Sequence, residues 1–298
     1  MRRLFVGLIL LCACRSVGAQ NFDTVQVRTT ALGKGVYMLT GAGGNMGLSI
    51  GEDAAFLVDD EFAPLTQKIR AAIAALTAKP VRFVLNTHWH FDHTGGNKDH
   101  GDAGALLVAQ DNVRKRMSTD QFIEALKLAQ PASPKGALPV VTFNDTVTFH
   151  INGDHVVAFH VAPAHTDGDA IVVFRGANVV HMGDVFLSAG FPFVDLSSGG
   201  SIHGFIAATE RVLPILDAES KVIPGHGPLA DRARVQAFHD MLVVMRDRMQ
   251  KEIAARHTIE QVLSSTITAD YDASWPAGRE RFLRILFQEL GRKQAAGN

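Results

Sequence analysis

The sequence predicts a mixed α/β protein, and three observations carry that expectation. Short apolar runs of strand length alternate with helical patterns along most of the chain. The early runs follow one another closely enough for hairpins, whereas later ones are separated by helix-length segments that allow crossovers. A hydrophobic content of 47% over 298 residues is enough to bury a large core, in one large domain or two small ones.

In chain order, the start "MRRLFVGLILLCACRSVGAQ" has a basic end at Arg2 and Arg3, an apolar run from Leu4 to Ala13, and small residues at Val17 and Ala19. This is the pattern of an export signal spanning residues 1–19, and the run is too short to cross a bilayer comfortably. Leu11-Cys12-Ala13-Cys14 also resembles a lipoprotein box, which makes anchoring through Cys14 a minority alternative to a periplasmic or secreted protein. Both cysteines lie in this segment, so cleavage near Ala19 leaves a chain without disulfides. It also takes the formal charge from -1 to -4, a surface with no general attraction for nucleic acid.

The runs "GVYMLTG", "GLSIGEDAAFLVDD", "RFVLNT", "ALLVAQ", "DHVVAFHV", "AIVVF" and "ANVVHMGD" read as strands. Ala63 to Thr77, "DNVRKRMS" behind a capping Asp111, and "SIHGFIAATERVLPIL" read as helices. Past Pro228 the pattern turns helical, with Thr258 and Gln261 in capping-box spacing, so residues 231–298 are expected to be a helical extension packed on a main domain of residues 20–230. Met241, Val244, Met245 and Met249 recur at helical spacing and read as its packing stripe.

"LNTHWHFDHTGGN" crowds His88, His90, Asp92 and His93 directly behind an apolar run. His165, Asp184 and His226 each sit just beyond the C-terminal end of another such run. In layered α/β proteins those loops gather on one edge of the sheet, so seven residues scattered along the chain can converge. Five imidazoles and two carboxylates, with no thiolate, suit Zn2+ best and tolerate Fe or Mn. Seven ligands exceed one tetrahedral ion. The natural division puts His88, His90 and His165 on one metal and Asp92, His93 and His226 on a second, with Asp184 between them. Two open-sited ions sharing a hydroxide form a hydrolytic centre. The other histidines keep ordinary roles: His155 and His160 in a strand, His100, His239 and His257 at the surface, His181 and His203 outside the ligand set.

"THWHFDH" matches the His-x-His-x-Asp-His signature of the metallo-β-lactamase superfamily, and "AHTDGD", "MGD" and "PGHG" match its later motifs in order. The resemblance covers roughly Gly33 to Leu229. It implies a four-layer αββα sandwich with the dinuclear site on the shared edge of two sheets, and the same division of ligands. Asp59 resembles the family's ligand-orienting aspartate. An aspartate at 184, where lactamases generally carry cysteine or serine, is similar to the glyoxalase II and phosphodiesterase branches. The following "VFLSAGFPFVD", however, lacks the Cys-Gly-Arg usual in glyoxalase II.

The expected activity is cleavage of a carbonyl-type bond in a small molecule, amide (including β-lactam), ester or thioester. The expected mechanism is attack by the shared hydroxide, with polarisation of the carbonyl at the His88/His90/His165 ion and Asp92 as the candidate catalytic residue. The alternatives are a glyoxalase II-like thioesterase and a mononuclear iron oxygenase similar to persulfide dioxygenases. No stable membrane insertion is expected. The glycines of "TGAGGNMGL" permit a mobile flap, and Phe186, Phe191 and Phe193 either line the site or fill the core.

Overall fold

A computed structural model describes residues 21–161 and 163–296; the export signal, Cys14 and the cleavage position before Gln20 lie outside the described residues. The chain opens with β1 (Arg28–Gly33), β2 (Val36–Thr40), β3 (Met46–Ile50) and β4 (Ala55–Val58), each antiparallel to the last. Helix α1 (Thr66–Ala74) crosses to β5 (Val81–Asn86), which is followed by the short helices α2 (Phe91–Thr94) and α3 (Asn97–Asp102). Then come β6 (Leu106–Gln110), α4 (Asp111–Met117), the small hairpin of β7 (Gln121–Ile123) and β8 (Leu128–Gln130), and β9 (Val141–Phe143). These build a seven-stranded sheet in the order β1-β2-β3-β4-β5-β6-β9, parallel from β4 onward.

The second sheet has five strands: β10 (Thr146–Ile151), β11 (Asp154–His160), β12 (Ala170–Phe174), β13 (Val179–His181) and, after helix α5 (Ile202–Val212), β14 (Lys221–Ile223). Its last pair, β13 and β14, is parallel. The chain closes with α6 (Arg232–Ala254), α7 (Ile259–Ser264) and α8 (Arg279–Ala296). Among the described residues no helix is long and apolar enough to cross a membrane.

Alternation along the buried strands explains the layers. In β4, Phe56 and Val58 face the gap between the sheets, where they meet Val156, Val172 and Phe174, while Ala55 and Leu57 face outward onto Ile69 and Ile73 of α1. In β12, Ala170, Val172 and Phe174 fill the same gap, and Ile171 and Val173 turn to the helices of the opposite layer. Continuous apolar runs are what a strand covered on both faces requires. The result is an αββα sandwich.

The C-terminal helices belong to the outer layer on the second sheet. Phe238, Met241 and Met245 of α6 and Phe282 and Leu286 of α8 share one core with Phe186 and Phe205. Buried Glu289 of α8 accepts from the backbone N–H of Ile202 at 3.0 Å, so α8 caps the N-terminus of α5. Thr258 and Gln261 form the expected capping box at α7. At α4 the cap is Gln110 rather than Asp111: the Gln110 side chain accepts from Asn112 N–H, and Asp111 is already the first helical residue. His100 is buried rather than on the surface.

Candidate metal centre

All seven expected ligands come together at the C-terminal ends of β5, β13 and β14 and in the loop after β11. His88 and His90 leave β5 in extended backbone. The chain then turns into α2, on which Asp92 and His93 ride. Asn86 fixes that turn: its amide donates to the His93 carbonyl at 3.3 Å and exchanges hydrogen bonds with buried Asn97. His165 is set by Asp169, whose carboxylate accepts from the N–H groups of His165 and Thr166 at 2.7 and 2.9 Å. Asp184 lies one turn beyond β13, against the Pro224-Gly225-His226 loop beyond β14. A Cβ on Gly225 would collide with the Asp184 carboxylate, which is why glycine stands there.

Three groups of ligand atoms each close to within 4.8 Å: His88, His90 and His165; His88, His93 and Asp184; and Asp92, His93 and His226. The orientation of each buried ring follows from the partner of its other nitrogen. His88 Nδ1 donates to Thr87 Oγ1 at 3.1 Å, because that hydroxyl spends its own proton on Asp59 at 2.8 Å. His90 Nε2 donates to Asp195 at 3.1 Å, His93 Nδ1 to Asp59 at 2.8 Å, and His165 Nδ1 to the Phe193 carbonyl at 2.6 Å. With the rings neutral, as metal ligands must be, the remaining nitrogens present lone pairs inward.

Those lone pairs face one another. His165 Nε2 lies 2.8 Å from His90 Nδ1, and His93 Nε2 lies 3.4 Å from His226 Nε2 and 3.2 Å from Asp184 Oδ1. His88 Nε2 and Asp184 Oδ1 are buried without a hydrogen-bond partner. Such an arrangement is repulsive unless positive charge sits among the donors, and a nitrogen and carboxylate donor set suits divalent metal. In the metal-free cluster the neighbouring acids draw that charge in as protons on two of the rings. Burial opposes charge on His226, yet Asp184 and Asp92 push its pKa up to about 10. Burial likewise opposes charge on His93, and Asp184, Asp59 and Asp92 together raise it. His88 and His165, where burial wins, are held neutral, the latter at about 4.

Asp59 orients His93 as expected. His181 and His203 stay outside the cluster: His181 Nε2 meets the Asn45 carbonyl at 3.0 Å, and His203 lies 3.7 Å from Glu289. The phenylalanines divide. Phe186 and Phe191 are core residues against Phe238 and Phe282, whereas Phe193 packs on the rings of His90 and His165. The glycine-rich loop is pinned, not a free flap: Gly44 N–H donates to the Asp92 carbonyl at 3.1 Å, Asn45 N–H to Gly225 at 2.7 Å, and a Cβ on Gly44 would strike the His93 ring. Sequence reasoning missed Asp195. Its only local signal is the "DLSS" capping pattern, in which Asp195 accepts from Ser197 N–H at 3.0 Å.

The family model described as the metallo-beta-lactamase superfamily matches residues 39–226, ending on the last candidate ligand. A protein described as a "probable metallo-hydrolase" of Methanocaldococcus jannaschii is 23% identical over 159 residues, 52% of this chain and 73% of that one. A hydroxyacylglutathione hydrolase of Erythrobacter litoralis is 30% identical over 111 residues, 37% of this chain and 36% of that protein. Among solved structures, a metallo-beta-lactamase from Pontibacter korlensis superposes with a TM-score of 0.60 at 20% identity, covering 73% of this chain and 99% of that one, a likeness of fold.

Proposed function

The chain belongs to the metallo-beta-lactamase superfamily, and from that premise we propose that it is an exported dinuclear zinc hydrolase that opens an amide, β-lactam, ester or thioester bond in a small-molecule substrate. The observation that carries the reading is the largely buried convergence of five histidine rings with the Asp92 and Asp184 carboxylates, each group of ligand atoms closing to within 4.8 Å. His88, His90 and His165 would hold one ion and Asp92, His93 and His226 the other, with Asp184 shared between them. Bound there, two dications supply Lewis acidity and a water acidified to near neutrality.

The chain's own groups do the rest. Asp195, Asp59, Thr87 and the Phe193 carbonyl keep the rings aimed, so little reorganisation accompanies reaction. Asp92 is the more exposed of the cluster's two carboxylates, with 20% of its side chain exposed against 9% for Asp184. Against the effect of burial, His93 and the hydrogen bond from His226 bring its pKa to about 2, so it stays ionised and is placed to accept a proton from water. Phe193 forms an apolar wall beside His90.

Thioesters gain weight from two observations, the aspartate at 184 and the partial likeness to a hydroxyacylglutathione hydrolase. The test is to load the purified chain with zinc, count metal, and assay a chromogenic cephalosporin, an aryl ester and a thioester. Two zinc ions and turnover of one class support the reading. One iron and no zinc in protein from its native source, or no turnover of any class, overturns it. N-terminal sequencing near Gln20 of the extracytoplasmic protein tests export; an uncleaved cytosolic chain contradicts it.

A further inference from the structure

Val81 opens β5 at the opposite end of that strand from the metal ligands, and it lines a second concavity. This cavity, of about 250 Å³, lies where α1, the turn before β5 and α3 meet. Ile73 and His100 line it from buried positions, Pro80 and Val81 add apolar surface, and Arg70 and Lys79 line it from exposed positions. Three of its lining residues are basic and none is acidic.

The chain around the cavity is fixed in place. Thr77 N–H donates to the Ile73 carbonyl at 3.0 Å, Lys79 N–H to Thr77 Oγ1 at 3.1 Å, and Ala55 N–H to the Pro80 carbonyl at 3.0 Å. The segment that carries Lys79 is therefore pinned at both ends. The backbone of His100 is also satisfied, its N–H donating to the Gly96 carbonyl and its carbonyl accepting from Ala105 N–H, both at 3.0 Å. Its ring is not. His100 is 1% exposed, and its Nε2 is buried without a hydrogen-bond partner, a state that costs stability.

Among the described residues no carboxylate forms an ion pair with Arg70 or Lys79. Other cations of the same layer are paired: Lys98 with Asp102 at 2.5 Å and Arg116 with Asp167 at 2.6 Å. Burial and then Arg70 hold His100 neutral, with a pKa of about 4, while Asp99, which does not line the cavity, opposes them. A neutral imidazole keeps one N–H to donate. Two unpaired cations and an unspent ring nitrogen beside apolar walls attract negative charge that the lining itself does not supply.

We propose that this cavity is a binding site for a small organic anion, a carboxylate on a short apolar body, separate from the metal centre. The carboxylate would lie between Arg70 and Lys79 within reach of the His100 ring, and the body would cover Ile73, Pro80 and Val81. An inorganic anion would leave those aliphatic side chains wet, whereas an apolar body removes them from water. The cavity is smaller than the roughly 300–1,000 Å³ of pockets for drug-sized ligands, so the body is short. The site holds whatever reaction the metal centre performs.

The test uses the zinc-loaded protein, titrated calorimetrically with phenylacetate, phenylacetamide and inorganic phosphate. A carboxylate can also approach zinc, so the place of binding is read separately, from the imidazole 15N signals. Phenylacetate should bind saturably, at least about tenfold more tightly than the amide or phosphate, and should shift the His100 signals. The double variant Arg70→Met/Lys79→Met, altered only at exposed positions, should lose about tenfold in affinity for the acid while keeping its zinc content and turnover. Equal affinity for acid and amide, phosphate binding as tight as phenylacetate, or acid binding that survives the double variant overturns the proposal. So does a titration that moves the metal-ligand histidines and leaves His100 unmoved.

Discussion

His93 Nδ1 lies 2.8 Å from Asp59 Oδ2, with both side chains fully buried. The same oxygen accepts from the Thr87 hydroxyl at 2.8 Å, and that hydroxyl accepts from His88 Nδ1 at 3.1 Å. One carboxylate thus sets the donor direction of a histidine in each half of the site.

Asp59→Asn keeps the shape but presents an amide N–H to His93 Nδ1, which favours the tautomer whose Nε2 carries the proton. Metal affinity should fall about 10- to 100-fold, the usual scale for losing a ligand's orienting partner. Competition with a chromophoric chelator measures it; unchanged affinity would mean that Asp59 does not control the ring.

Asp184 reaches both halves, at 3.2 Å from His93 Nε2 and 3.6 Å from His165 Nε2. Asp184→Asn removes the shared negative charge and should weaken binding of the second ion by about 10- to 100-fold, with activity falling alongside. Asp184→Cys should retain two ions, because thiolate ligates zinc well, while losing ester or thioester turnover. Zinc titration during hydrolysis reads both variants, and an asparagine variant with unaltered metal content and rate would place Asp184 outside the site.

His100 gives a pH dependence away from the metals. Burial, then nearby Arg70, lowers its pKa to about 4 from the ordinary 6.5. The unfolded chain therefore takes up this proton first as pH falls. The stability contributed by neutral His100 is full above about pH 6.5 and is lost as pH drops through about 4, on the order of 3 kcal/mol in all. His100→Leu, similar in volume and without the proton, should flatten the decline between pH 6.5 and 4. Parallel urea-denaturation profiles across that range would show His100 to be silent.

Phe282 is fully buried and its ring stacks on Phe191 at 5.3 Å. Phe282→Ala should destabilise the whole protein by about 3–5 kcal/mol in a single denaturation transition, because α8 shares its core with the second sheet. A separate early transition would show that the C-terminal helices melt on their own.

What the sequence determined alone is whatever local periodicity and donor chemistry encode. The strands covered on both faces, β4, β12 and most of β6, were legible because two-sided burial demands unbroken apolar runs, and the ligands were legible because chemically committed residues stood at strand ends. Strands β1 and β9 were not: most of their side chains are exposed, so partners distant along the chain define them. Tertiary structure alone decided that Phe193 packs on His90 and His165 while Phe186 and Phe191 fill the core, that His100 is buried, and that Asp195 meets His90. The physical reason is that a ligand's identity lies in its own side chain, whereas its orientation, its burial and its unpaired neighbours depend on how segments far apart in the chain pack together.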